Sequence, residues 1–513
     1  MKLLRFLPAL LLAASLPALA DDAPSKDAVK PGFDSKPQLS VTSGSVTVGG
    51  EKISYKANAG TLILKDDKDD PAASIFYVYY AKDGAPSNRP VTFFFNGGPG
   101  SATVWLHMGA YGPQRVRTSN DSHTPGAPYV LANNDQSLLD VTDEVFIDAP
   151  GTGFSRVLDK DHGGKGDPKD FYGVDPDGKA FAQFIQQFLT KYGRWNSPKF
   201  IFGESYGTIR GPVLALDLQN ASIDINGLIM LSAIPNTDIS ADGDTLNPSI
   251  DIPFALVLPT QAAVAWYHDR VPNKPAKLED FLAQVEKFAM GDYLTALNAG
   301  STLDSATKQK IAEQLSAYTG LSADYWMKAN LRVSGGQFEH ELMRETGQLA
   351  GRLDGRFSGY AIDPLGETSE YDPQSASISS AYVSLFNEYA RKTLNYGQDQ
   401  TYLPFAPGAA NWDFKHVNPL GQAFPGATNV LPDLAVTMGQ NPTMKVLLVG
   451  GYYDLATAFY AAKFQMQHLP MDEKLQANIS YGFYPSGHMV YANEASGKAL
   501  HDDVAKFIES SHK

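Results

Sequence analysis

Gly203-Glu204-Ser205-Tyr206-Gly207 follows the apolar run 199–202 and precedes a helical pattern that continues through Leu218. A serine between two glycines at a strand-to-helix turn is the pattern of a nucleophile elbow, with the hydroxyl exposed above a sheet and the positive end of a helix beneath it. In isolation such a five-residue pattern also describes an ordinary tight turn. A serine becomes a nucleophile only beside a base, and the base needs a carboxylate to orient it. Elbow enzymes order these groups Ser, Asp or Glu, then His. Of the ten histidines, His268, His340, His416, His468, His488, His501 and His512 lie downstream. His488 alone sits in a small-residue loop after an apolar strand, in Tyr484-Pro485-Ser486-Gly487-His488. His468 reads as a surface charge at a helix end. The run 445–449 leads into Gly450-Gly451-Tyr452-Tyr453-Asp454, placing Asp454 just past the C-terminal end of a buried strand, where active-site groups collect in open α/β sheets. Taken alone, Asp454 reads as a helix N-cap, since 455–464 carries a helical pattern. Asn96-Gly97-Gly98-Pro99-Gly100-Ser101 follows the apolar run 91–95. Its glycines let backbone N–H groups approach a developing oxyanion, each such donor being worth about 3 kcal/mol. Gly98 and Tyr206 supply the natural pair. A phosphate loop is the alternative, and the missing Lys-Ser/Thr argues against it.

These residues need a scaffold. The short, continuously apolar runs 91–95, 144–147, 199–202, 227–231 and 445–449 suit central strands covered on both faces. Between them, 178–192 places Phe181, Phe184, Ile185, Phe188 and Leu189 on one helical face. Ahead of them, 53–55, 61–65 and 74–80 alternate as three strands of an antiparallel meander. From about 237 to 421 the strand rhythm gives way to helical pattern, best at 279–297 and 303–318. The expectation is an α/β fold in one catalytic domain over 46–513, with a mixed, mostly parallel central sheet and a helical cap inserted at about 237–421.

Lys2 and Arg5, the apolar run 6–16 and Ala18-Leu19-Ala20 form a signal-peptide pattern over 1–20, followed by a polar leader over 21–45. The apolar run falls short of the roughly 20 residues that span a bilayer, so no membrane insertion is expected after cleavage. Export to the periplasm or the medium is the expected destination. The sequence has no cysteine, which excludes disulfides and a thiol nucleophile. Removing 1–20 takes the formal charge from −14 to −16, a surface that repels nucleic acid. No His/Asp/Glu grouping has metal-ligand spacing, and neither metal nor cofactor is expected.

Five stretches together resemble the serine carboxypeptidases: Phe95 to Ser101, Phe146-Ile147-Asp148-Ala149-Pro150-Gly151-Thr152-Gly153-Phe154-Ser155, Gly203 to Gly207, Gly451-Tyr452-Tyr453-Asp454, and Ser486-Gly487-His488-Met489-Val490. The resemblance covers nearly the whole chain outside the leader and much of the cap. It implies an α/β-hydrolase fold, an exopeptidase acting on peptides with a free C-terminus, and Ser205, Asp454 and His488 as the triad. It also implies that Asn96 and Glu204 hold the substrate's terminal carboxylate. That works physically only with a proton on Glu204, because two carboxylates would repel. Activity in mild acid follows. The family's second glutamate falls at Ala110, in Ala110-Tyr111-Gly112-Pro113, so the carboxylate site here leans on Asn96 and Glu204. Thr208 stands where a small residue is common, without an explanation in the sequence.

Trp105 and His107, near the oxyanion loop, are either pocket lining or core. Two rival functions use the same residues: an esterase or acyltransferase, and an exported binding protein that has lost turnover. The requirement for a free C-terminus separates the first; intact Ser205, Asp454 and His488 oppose the second.

Overall fold

Strands without polar alternation need cover on both faces, and the fold supplies it. A computed structural model describes residues 35–240, 249–423 and 428–512. The signal-peptide pattern and the start of the leader lie outside the described residues. The main sheet contains β1 (Leu39–Val48), β2 (Glu51–Lys65), β3 (Pro71–Lys82), β4 (Val91–Phe95), β5 (Asp143–Ile147), β6 (Lys199–Glu204), β7 (Gly227–Leu231), β8 (Lys445–Gly451) and β9 (Ile479–Tyr484). They lie in the order β1-β2-β3-β5-β4-β6-β7-β8-β9, with the two-residue strand Arg156–Val157 beside β3. β1, β2, β3 and β5 pair antiparallel, and every neighbour from β5 onward is parallel.

The α-helices include α1 (Val174–Tyr192), α2 (Gly207–Asn220), α3 (Ile252–Tyr267), α4 (Leu278–Phe288), α5 (Ser305–Thr319), α6 (Pro373–Lys392), α7 (Leu431–Gln440), α8 (Phe459–Gln467) and α9 (Glu494–Ser510). Phe93, Ile201, Met230 and Leu448 face one core with α1, α2 and α7. Phe94, Phe202, Leu231 and Val449 face the other with α6 and α9. Burying each such side chain contributes about 1.5–3 kcal/mol. The chain leaves the sheet after β7 and returns in β8, which pairs directly with β7. Between them, α3, α4 and α5 build a third core that also takes in Tyr453, Leu455 and Phe459.

Three expectations are corrected. β1 begins at Leu39, inside the stretch assigned to the leader up to 45. Its Ser/Thr-rich sequence is held by pairing with β2 from Leu39 opposite Gly60 to Val48 opposite Glu51, with Val46 and Val48 buried. The expected strands 53–55 and 61–65 are one, β2, because the turn-forming Asn58 and Gly60 keep ladder partners on both sides. The helix expected from Leu455 starts at Phe459, since the intervening backbone is engaged by Asp454 and by the cap.

Parallel register aligns the carboxyl ends: Phe95 lies opposite Gly203, Glu204 opposite Leu231, Leu231 opposite Val449, and Gly451 opposite Tyr484. The loops after β4, β6, β8 and β9 therefore emerge along one edge.

His416 fastens the returning chain to this scaffold. Its Nδ1 lies 2.5 Å from Asp175 at the start of α1, and its Nε2 lies 2.9 Å from Asp433 on α7. Two carboxylate acceptors require both ring nitrogens to donate, hence an imidazolium. Burial alone would lower its pKa, but the two carboxylates outweigh burial and push it up to about 9. A folded-state pKa above the ordinary 6.5 means the folded chain binds the extra proton. Its stabilisation is complete below that value and disappears as pH rises through about 9. Denaturant unfolding between about pH 6 and about pH 10 should show this loss, and His416→Gln should remove that part of the pH dependence.

Candidate active site

Ser205 follows β6 with φ +60°, a left-handed conformation that costs a non-glycine residue about 1–3 kcal/mol. Its neighbours leave no alternative. The Ser205 N–H donates to the Leu231 carbonyl at 3.0 Å, and the Ser205 carbonyl accepts from the Thr208 N–H at 2.8 Å and the Thr208 hydroxyl at 2.6 Å. The Thr208 hydroxyl in turn accepts from the Ile234 N–H at 2.9 Å, so this threonine couples the elbow to the loop after β7. A Cβ at Gly203 would lie 2.2 Å from the Gly207 carbonyl oxygen, which is why the turn closes only with glycine there.

The loop after β4 lies against this elbow. A Cβ on Gly97 would come within 2.3 Å of the Tyr206 nitrogen, and Gly98 has φ +107°. Tyr206 precedes the first turn of α2, whose N-terminal end favours negative charge. The Asn96 side-chain oxygen accepts from the Leu106 N–H at 3.0 Å, and its backbone carbonyl accepts from Arg210 at 2.9 Å. Arg210 is fully buried, donates to Asp177 at 2.6 Å, and stacks 4.3 Å from the Phe181 ring centre and 4.9 Å from that of Phe95. Asp177, on α1, thus fixes an arginine one turn into α2, which fixes the strand end carrying Asn96. The second motif braces the same region: Asp148 accepts the Thr103 N–H at 2.9 Å, and Gly153 pairs with Leu403.

Asp454 and His488 meet. Asp454 is wholly buried; one carboxylate oxygen accepts the Ala456 and Thr457 N–H groups at 3.0 and 2.9 Å. The other lies 2.8 Å from His488 Nδ1 and accepts the Thr457 hydroxyl at 2.6 Å. Cap and ion-pair roles are thus filled by different oxygens of one carboxylate. Donation from Nδ1 to Asp454 leaves the Nε2 lone pair of a neutral ring available. The His488 carbonyl accepts from the Ser232 hydroxyl at 2.7 Å. Burial would lower the His488 pKa, but the charge and hydrogen bond of Asp454, helped by Glu204, raise it overall.

Glu204 is buried beside the elbow. Tyr491 donates to it at 2.8 Å, and Asn96 hydrogen-bonds both of them. Burial is the largest influence and, with Asp454 adding repulsion, pushes the carboxyl up to about 7, although His488, Tyr491 and Asn96 pull it down. A Cβ on Gly109 would meet the Tyr382 hydroxyl at 2.6 Å and the Tyr491 ring at 2.7 Å. Tyrosines therefore occupy the space beside Ala110.

Trp105 and His107 belong to the core. Trp105 is buried and donates to Ser101 at 2.9 Å. His107 stacks on Phe146 and contacts the Tyr80 hydroxyl at 2.7 Å, with its pKa driven down to about 3 by burial. His468 is exposed at the end of α8.

A family profile described as serine carboxypeptidase matches residues 50–477, most of the chain. The chain belongs to the serine carboxypeptidase family. One family relative, serine carboxypeptidase S10 family member 1 of Dictyostelium discoideum, is 30% identical over 163 residues, covering 30% of this chain and 35% of its own length. Serine carboxypeptidase-like 45 of Arabidopsis thaliana is 27% identical over 173 residues, 33% of each chain. The matched stretches thus span about a third of these curated relatives. The crystal structure of a prohormone-processing carboxypeptidase from Saccharomyces cerevisiae superposes with a TM-score of 0.52 at 15% identity, covering 89% of this chain and 92% of that one. The carboxypeptidase architecture is the α/β-hydrolase fold, here with a mixed, mostly parallel sheet.

Several supporting residues carry no local signal in the sequence. Arg210 and Tyr491 lie close in sequence to Ser205 or His488, but their partners do not, and Thr208 joins Ser205 to the distant Ile234. Only Arg210, a charge inside an apolar helical stretch, hints at a buried partner. Removing it strands Asp177 uncompensated, so Arg210→Ala should lower unfolding free energy by about 3–5 kcal/mol in denaturant titrations.

Proposed function

We propose that this chain is a serine-type carboxypeptidase removing residues from peptide C-termini through an acyl-enzyme on Ser205. The observation that carries the reading is Glu204, a buried carboxyl held near neutrality between Asn96 and Tyr491 and directly preceding the nucleophile. A neutral carboxyl can donate a hydrogen bond to a substrate carboxylate, and a pKa of about 7 keeps it neutral in mild acid.

His488 takes the Ser205 hydroxyl proton on Nε2 as the oxygen attacks the scissile carbonyl, while Asp454 holds the ring through Nδ1. The Gly98 and Tyr206 N–H groups receive the oxyanion. His488 then gives the proton to the departing amine, and water attacks the acyl-enzyme with His488 again as base. Asn96 and Glu204 hold the terminal carboxylate, which limits cutting to the last peptide bond. The binding partner is a peptide with a free C-terminus; no metal or cofactor enters the steps. The pattern over 1–20 directs export to the periplasm or medium, and among the described residues no helix is long and apolar enough to cross a membrane.

Mass spectrometry of N-blocked peptides after incubation with exported, purified protein should show stepwise C-terminal loss that Ser205→Ala abolishes. The intact mass of that protein should begin at Asp21. Peptide amides should resist. Cleavage of amides or esters with free acids left intact would replace the exopeptidase with the esterase reading.

Above about pH 7, kcat/KM for free-acid peptides should fall by up to about tenfold per pH unit as Glu204 ionises. Glu204→Gln, which cannot ionise, should flatten that limb. Tyr491→Phe removes a bond that favours the carboxylate form, so it should move the limb upward in pH. An unshifted limb in both variants would remove Glu204 from carboxylate recognition.

A further inference from the structure

Five consecutive residues of the insertion touch both loops that carry Asp454 and His488. The Arg352 carbonyl accepts the Leu455 and Ala456 N–H groups at 3.0 and 3.1 Å. The Leu353 carbonyl accepts the His488 N–H at 2.6 Å, and the Gly355 N–H donates to the Tyr453 carbonyl at 2.9 Å. Between these contacts lies a buried ion pair. Arg356 grips Asp354 with its Nε at 2.9 Å and a terminal nitrogen at 2.5 Å, and their side chains are 4% and 0% exposed.

Each member of the pair also reaches the His488 loop. Asp354 accepts the Gly487 N–H at 3.1 Å, and Arg356 donates to the Ser486 hydroxyl at 3.2 Å while its guanidinium lies 5.6 Å from the Tyr453 ring centre. A Cβ on Gly487 would sit 2.4 Å from the Asp354 Cβ. The loops contact each other as well, through the Tyr453 N–H and the Ser486 carbonyl at 3.0 Å. Asp354 is anchored from behind by Gln374 at 3.5 Å, and the Leu353 N–H is held by Asp372 at 3.0 Å.

A buried ion pair is a poor way to gain stability, because desolvation offsets its attraction and apolar residues of like volume usually serve as well. This pair instead aims its spare hydrogen bonds at the two residues preceding His488. We propose that Asp354 and Arg356 are positioning residues that hold His488 against Asp454, so that the insertion sets the geometry of the relay. The proposal rests on the catalytic roles given above. It extends them to a segment that touches neither Ser205 nor the carboxylate site. The charged and titratable groups facing His488 are Asp454, Glu204 and Arg352; those around the pair are Asp372, Tyr267, Tyr453 and His268, whose Nε2 lies 2.6 Å from the Gly355 carbonyl oxygen.

The test compares wild type with Asp354→Leu/Arg356→Met, which keeps volume, and with Arg356→Lys, which keeps charge but loses the fork. Active sites are counted by a fluorophosphonate burst, so misfolded protein drops out of the rate. The double variant should lose about 10- to 100-fold in kcat per titrated site, as small misplacements do, with KM for free-acid peptides within about twofold. Loosening the Asp454 contact should lower the His488 pKa, moving the acid limb of kcat/KM to lower pH. Arg356→Lys should fall between, and it alone decides the matter if the double variant does not fold. An unchanged kcat per site together with an unmoved acid limb overturns the proposal, even if melting temperature drops. The low-field Nδ1–H resonance of His488 gives a reading independent of turnover. If it shifts in the variants while wild type trims no peptide, positioning stands and the carboxypeptidase assignment falls.

Discussion

The rest of the site is arranged around one strained residue. Ser205 holds φ +60°, which an L-residue adopts only when its surroundings are more rigid than it is. Those surroundings are the β7 carbonyl that takes its N–H, the Thr208 groups that take its carbonyl, and two glycines whose backbones nearly touch. So tight a turn places the start of α2 directly against Gly97. The position of Asn96, and hence the burial of Arg210 and Asp177 behind it, follows from that contact.

Charge is handled differently at each buried carboxyl. Asp177 and Asp354 each receive an arginine, and Asp454 receives N–H groups, a hydroxyl and an imidazole. The partners bonded to Glu204 are a phenol and an amide, with no cation among them, and burial pushes its pKa up to about 7. Two carboxyls flanking the same histidine thus differ in what surrounds them rather than in depth. The tyrosines beside Ala110 matter for the same reason, since a phenol stays neutral over the range in which a carboxyl titrates.

The parallel strands were legible in the sequence because burial on both faces writes an uninterrupted apolar run, as in 91–95 and 227–231. Glycine contacts in the elbow and in the loop after β4 were legible because close backbone approach admits few residues. The long β2 was read as two strands because Asn58 and Gly60 are turn formers, whereas ladder partners on both sides decided their conformation. β1 was missed because its composition resembles a flexible leader and only its pairing with β2 marks it as a strand. Tyr491 and the Asp354–Arg356 pair had no local signature at all. Their meaning lies in partners 287 residues away for Tyr491 and 130 residues away for Arg356. A histidine in a small-residue loop can be found by inspection; the Asp354–Arg356 pair that bonds the same loop cannot.

The hydrogen bond from Tyr491 to Glu204 joins the two ends of a long folding history. A contact of such sequence separation must overcome the entropy of closing the intervening chain. The elbow, the insertion and the loop after β9 must all be in place before the carboxyl at Glu204 has its phenol and His488 its carboxylate. A partly folded chain therefore has Ser205 but neither the Asp454–His488 contact nor the Tyr491–Glu204 bond. Completion of the fold is what brings these groups, drawn from the elbow, the insertion and the loop after β9, within hydrogen-bonding distance of one another.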